Sequence, residues 1–167
     1  MRKIIVTLVA VFIGLQALAQ GGFSVSTGVS YSLYDMSPTM GVTAVYAIPG
    51  SFIGFFVETD WNSTSKTLEG GPGPLVEKTS RLHVLPGIRL YYLQKRGCRL
   101  WSGFAFGGRL VRETETFNGS TVGTGAWGFS AQDINFGFSF GRRLTLDGEF
   151  GLGTAWVGAK IGLGYKF

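Results

Sequence analysis

Nine ionisable side chains alternate with apolar residues along five segments of this sequence. Within a segment they recur at even spacings, as Glu58 and Asp60 do. Residues two apart in an extended chain point to the same side, so these groups are expected to share the interior of one sheet structure. They comprise four acids, four bases and one histidine, namely Glu58, Asp60, Arg81, His83, Arg89, Arg109, Asp147, Glu149 and Lys160.

Equal numbers of acids and bases favour ion pairing within this group. An isolated charge away from water is costly, whereas a paired and hydrogen-bonded charge is tolerated. We therefore predict a lumen charge network that fixes the register of the strands, with a weakly conducting, ion-selective lumen as the alternative. A histidine can activate a serine nucleophile, but no His-x-Ser pattern surrounds His83. We expect His83 to act as a hydrogen-bonding group and the chain not to be an enzyme.

Other binding chemistries find little support in the residues. One histidine and the single Cys98 do not supply a zinc site, and Glu58 with Asp60 is too small a set for calcium. The stretch 123–128 fits G-x-G-x-x-G but lacks the βαβ unit that a dinucleotide site needs. The net charge of +5 shows no basic stripe. We expect no metal, no cofactor and no nucleic acid.

The first residues have the layout of a secretory signal peptide. Met1-Arg2-Lys3 precedes an apolar run over 4–18, which ends in Ala17-Leu18-Ala19. The run is shorter than the roughly 20 residues that a transmembrane helix needs. We predict a cleaved signal peptide at 1–19 and one mature domain at 20–167.

From Phe23 onward, side chains alternate with a period of two. Eight strand-like segments follow one another, separated by turns rich in Gly, Pro, Asn and Asp. Side-chain parity switches near Gln132-Asp133, which indicates a β-bulge. The alternative is that the residues before Gln132 extend above the membrane and belong partly to a loop. Short connections are predicted at Pro49-Gly50, 94–98 and 141–143, and long loops at Ser63–Lys78 and Thr114–Gly123.

The two faces of these segments differ in a way that indicates a membrane protein. One face carries large apolar residues, and the other carries Gly, Ser, Thr and charge. The interior of an eight-stranded barrel is too narrow for so many large side chains, so they should face lipid. Strands in hydrocarbon must close without free edges. We predict an all-β, eight-stranded, antiparallel, up-and-down transmembrane β-barrel, with a soluble secreted β-sandwich as the alternative. Aromatic residues near strand ends should form interfacial girdles: Tyr31, Trp61, Tyr92, Trp156, Tyr165 and Phe167.

The last strand adds a resemblance to a known family. Lys160, Gly162, Tyr165 and Phe167 occupy the places of the polar, glycine and two aromatic residues in the C-terminal signal of outer-membrane barrels. The mature chain is also similar in layout to small Gram-negative barrels of the OmpA-transmembrane-domain and OmpX kind and to porin-like barrels. The resemblance implies location in the outer membrane, contact with its lipid and lipopolysaccharide, and recognition by the barrel-assembly machinery.

Three functions are consistent with these features. The first is a structural or surface-interaction barrel whose lumen is filled by side chains. The second is a narrow porin-like transport channel, and the third is a lipid-modifying enzyme. The segment 63–78, the longest predicted external loop, is where we expect any external ligand to bind, because exposed loops on a rigid scaffold commonly carry specificity. A solvated loop without a partner is the alternative.

Overall fold

Eight antiparallel strands close into a single barrel in the computed structural model, which describes residues 22–33, 36–69 and 73–167. Each strand pairs with the next, and β1 pairs with β8. The strands are β1 Phe23–Ser32, β2 Ser37–Ala47, β3 Ile53–Leu68, β4 Leu75–Lys95, β5 Cys98–Phe117, β6 Ser120–Phe140, β7 Leu144–Gly153 and β8 Gly158–Lys166. The predicted eight-stranded, up-and-down architecture is confirmed. The predicted signal peptide lies outside the described residues. Among those residues, no helix is long and apolar enough to cross a bilayer.

The barrel wall has the inverted polarity that alternation predicted. Large apolar side chains such as Phe150 and Leu163 are exposed on the outer surface, whereas Glu58, Gln132 and Asn135 are buried inside. A barrel in water would bury the first set and expose the second. The outer surface is therefore suited to contact with hydrocarbon.

A bulge in β6 explains the parity switch. The β6–β7 ladder shifts register between Gln132 and Ile134, and the β5–β6 ladder shifts between Gly103 and Ala105. The predicted bulge near Gln132-Asp133 is thus confirmed. The extra residue of the bulge changes which residues face inward, from even-numbered ones before it to odd-numbered ones after it. Ser130, Gln132 and Asn135 are therefore all buried.

Four strands continue beyond the other four at one end of the barrel. The strands β3 to β6 are 16–21 residues long, and the remaining strands have 9–11 residues. The extra lengths pair into one four-stranded sheet, here called the projecting sheet. It comprises 63–68, 75–80, 112–117 and 120–125.

The two long loops predicted at Ser63–Lys78 and Thr114–Gly123 are therefore wrong for most of their length. Leu68 pairs with Leu75, and Phe117 pairs with Ser120 across a two-residue Asn118-Gly119 turn. Both turn residues have positive φ, 49° and 79°, as in the hairpin turns that match strand twist. Most residues of these extensions are Thr, Ser or charged. The regular alternation of apolar side chains therefore ends here, although the strands continue.

One row of outward side chains marks where the apolar belt ends and the polar projecting sheet begins. Trp61 pairs with Leu82, Leu82 with Leu110, and Leu110 with Trp127. Five of the six predicted girdle aromatics are exposed on the outer surface, but Trp156 is only 1% exposed. The prediction for Trp156 is wrong because β8 begins at Gly158, so Trp156 belongs to the preceding loop and enters the barrel.

Candidate functional site

The best-defined polar site lies inside the barrel, where Lys160 of β8 meets two carboxylates of β3. Its Nζ atom lies 2.5 Å from Glu58 Oε1 and 2.8 Å from Asp60 Oδ1. All three residues are buried. Alternation aims each of them inward, and barrel closure brings β8 within reach of β3. One cation thus bridges two carboxylates that would otherwise repel each other.

Two neighbouring residues shape this acid–lysine cluster. The indole Nε1 of Trp156 donates a 3.1 Å hydrogen bond to Glu58 Oε1, and its ring centroid lies 5.0 Å from the Lys160 ammonium. Gly41, which pairs with Asp60 across the β2–β3 ladder, leaves the space that the Asp60 carboxylate occupies, since a Cβ atom there would collide with Oδ1. The loop between β7 and β8 therefore covers the cluster, and a glycine makes room for it.

A second ion pair joins β4 and β7 inside the barrel. Arg89 Nη2 donates to Glu149 Oε2 at 3.0 Å, and Asn135 Nδ2 donates to Glu149 Oε1 at 2.8 Å. The guanidinium carbon lies 4.7 Å from the ring centroid of Phe56 and 4.4 Å from that of Trp101. Arg89 is thus paired with a carboxylate and packed against two rings, which are favourable contacts for a buried guanidinium.

His83 contacts a serine that the sequence did not single out. Its Nδ1 atom lies 3.1 Å from Ser130 Oγ, and both residues are buried. Ser130 is 47 residues away in sequence and precedes the bulge, so its side could be assigned only once the bulge was located. The contact supplies hydrogen bonding inside the barrel.

The other three predicted inward charges are Arg81, Arg109 and Asp147. Arg109 pairs with His83 across the β4–β5 ladder, and Arg81 is the next inward residue on β4 toward the projecting sheet. Asp147 lines a cavity of about 30 Å³ at the opposite end. A cavity of that size holds about one or two water molecules. Arg89, Glu149 and Lys160 line the same cavity, so Asp147 shares it with residues of both ion-paired groups.

The four residues of the C-terminal motif divide between the two sides of β8. Lys160 lies in the acid–lysine cluster, and a Cβ atom at Gly162 would collide with the Thr27 backbone of β1. Tyr165 and Phe167 are exposed outside, with ring centroids 5.0 Å apart. Phe167 also donates its backbone N–H to Phe23, which ties the last residue to β1.

In the part of the chain that the structure describes, no three His, Cys, Asp or Glu side chains come together as a metal-binding group. No protein-family model matches the sequence, and no curated protein matches it.

The solved structures that share the fold include two barrels from different Gram-negative bacteria. Ail, the attachment invasion locus protein of Yersinia pestis, has a TM-score of 0.50 and 12% identity, over 87% of this chain and 95% of that one. The N-terminal β-barrel domain of Pseudomonas aeruginosa OprF has a TM-score of 0.50 and 11% identity, over 88% of this chain and 98% of that one. With its apolar outer surface, this chain has the fold of the small outer-membrane β-barrels of Gram-negative bacteria, as the sequence predicted.

Proposed function

We propose that this chain works in the outer membrane as a surface-interaction barrel, with the projecting sheet as its binding element. The single observation that carries the proposal is the length of β3 to β6 beyond the rest of the barrel. Within the described residues, no strand covers the outer edge of β3 at 63–68 or that of β6 at 120–129. Both edges therefore present backbone N–H and C=O groups that an added strand can pair with.

The β6 edge is the better docking edge of the two. Residues 120–129 contain no Lys, Arg, Asp, Glu or Pro, the residues that usually protect exposed edges from pairing. Val122, which lies on this edge above the Trp61–Trp127 row, is 69% exposed. An added strand would stand above the end of β7, where an extended segment of an extracellular polypeptide fits. One structural neighbour is described as an attachment invasion locus protein, which agrees with a surface role.

We therefore propose a sheet edge as the binding site, in place of the loop that was predicted at 63–78.

We further propose that the lumen is closed by its own side chains and that the chain is not an enzyme. The two ion-paired groups, Trp156 and the 30 Å³ cavity support closure over a porin-like channel. The burial of Ser130 and His83 supports a non-catalytic pair, since a substrate would need access to them.

The remaining proposed partners follow from the resemblance. Lipid and lipopolysaccharide would surround the apolar outer surface. The barrel-assembly machinery would bind the last strand, where Tyr165 and Phe167 are exposed.

A shortened hairpin tests the proposed function. Deleting 112–117 and 120–125 leaves Asn118-Gly119 between Val111 and Ala126, which already face each other in the ladder. We expect the barrel to fold, with heat-modifiable gel mobility, because the closed part of the ladder is unchanged. Cells that display this variant should lose adhesion to immobilised extracellular proteins, relative to cells that display the full chain.

Full-length protein in planar bilayers is the companion measurement, and we expect no large, stable single-channel currents. Unchanged adhesion after the deletion would contradict a binding role for the β6 edge. Large steady currents would instead support the transport alternative.

A further inference from the structure

The end of the barrel opposite the projecting sheet carries a dense cluster of cations. Its turns are 48–52 between β2 and β3, Arg96-Gly97 between β4 and β5, and Gly141–Arg143 between β6 and β7. The end holds six of the cations in the described residues, here called the basic rim: Lys95, Arg96, Arg99, Arg142, Arg143 and Lys166. The described turn residues at this end include no Asp or Glu, while Arg99 and Lys166 line the lumen cavity together with Asp147.

Backbone hydrogen bonds hold the basic rim together as one surface. Gly141 donates its N–H to Gly97 O at 2.9 Å, and Lys166 donates its N–H to Arg143 O at 2.8 Å. The Lys166 ammonium also donates to Gly141 O at 3.2 Å. Two turns and the end of β8 are thus fixed side by side. Ligand binding would not need to assemble the site from separate mobile loops.

The basic rim lies directly beside the apolar belt. Tyr92 and Leu144, near the two turns, are 68% and 76% exposed on the outer surface. If the belt contacts hydrocarbon, as the proposed function requires, the cations lie at the height of lipid headgroups. Phosphates of acidic lipids are the anions available at that height, and a Lys or Arg near such a surface contributes about 1 kcal/mol.

We propose that the basic rim binds the phosphate groups of anionic phospholipids in the leaflet at the short-turn end of the barrel. The inference rests on membrane insertion but not on the projecting sheet or its partner. The ligand class follows from the positive charge of the rim, its position beside the apolar belt and the hydrogen bonds that hold its turns in place. Lipids with two phosphates and no compensating amine, such as cardiolipin, best fit the four exposed cations of the basic rim, which are Lys95, Arg96, Arg142 and Arg143.

Lipid binding to the detergent-solubilised full chain tests this inference. Native mass spectrometry would compare cardiolipin, phosphatidylglycerol and zwitterionic phosphatidylethanolamine, with soluble glycerophosphate as a competitor. We expect cardiolipin to bind most tightly and the double variant R142Q/R143Q to weaken its binding about 30-fold, since two cations are removed. The matched control K78Q/R112Q removes two exposed cations from the projecting sheet and should bind cardiolipin like the unaltered chain.

Heat-modifiable mobility of each variant reports barrel folding, so loss of the fold is distinguished from loss of lipid binding. If R142Q/R143Q does not fold, the single variant R96Q takes its place, with an expected loss of about fivefold. Equal binding of phosphatidylethanolamine, equal loss in K78Q/R112Q, or full competition by glycerophosphate would each overturn the inference. A full chain that fails to insert into lipid would instead overturn the proposed function.

Discussion

Lys160→Met should lower the free energy of unfolding by about 3–5 kcal/mol, because it leaves two buried carboxylates without their shared cation. Glu58 and Asp60 are each 1% exposed, so bulk water does not reach them in the closed barrel. Methionine keeps most of the length and the apolar stem of lysine, so lost charge dominates the effect. Equilibrium urea unfolding of the barrel in lipid vesicles measures the change.

Two further variants separate charge from packing. Lys66→Met removes an exposed lysine from the projecting sheet and should cost at most about 1 kcal/mol. The triple variant K160M/E58Q/D60N removes all three charges and should recover most of the loss. A cost below about 1 kcal/mol for Lys160→Met alone would contradict a paired, solvent-excluded cluster.

Ile161→Arg, one residue further along β8, should destabilise the barrel for the opposite reason. Ile161 is 61% exposed on the outer surface near the middle of the strand. A guanidinium on the lipid face near the bilayer midplane costs about 2–4 kcal/mol. The same urea titration in vesicles measures this loss.

Thr114→Arg is the matched control, because Thr114 is outward on the projecting sheet, beyond the Trp61–Trp127 row. It should leave the free energy of unfolding nearly unchanged, since surface substitutions usually stay within about 0.5 kcal/mol. Equal effects of Ile161→Arg and Thr114→Arg would show that the apolar belt is not in lipid.

Alternation was sufficient to predict the closed barrel and the buried positions of Glu58, Asp60 and Lys160. Glu58, Asp60 and Lys160 are inward because their neighbours Val57 and Ile161 are apolar and outward. Their contact, however, joins residues about 100 positions apart. It depends on the stagger of strands around a closed barrel, which a single sequence does not specify.

Three features of the structure could not be predicted from the sequence, each for a physical reason. The projecting sheet consists mostly of polar residues that form strands well, such as Thr. Apolar side chains alternate only where the strands contact lipid, so this pattern does not mark the strands beyond the belt. Trp156 lies in a loop, where strand parity does not determine direction. Apolar residues inside the barrel, such as Leu85 and Trp101, share a face with the charges, so the inward face is not uniformly polar.

The position of the four tryptophans tests the inverted barrel most directly. Trp61 and Trp127 face outward, while Trp101 and Trp156 are buried inside. Four variants, each retaining one tryptophan with the others changed to Phe, would be refolded into bilayers containing lipids with brominated acyl chains. We predict strong fluorescence quenching of Trp61 and Trp127 and little quenching of Trp101 and Trp156. Quenching of the two inner tryptophans as strong as that of the two outer ones would contradict the account.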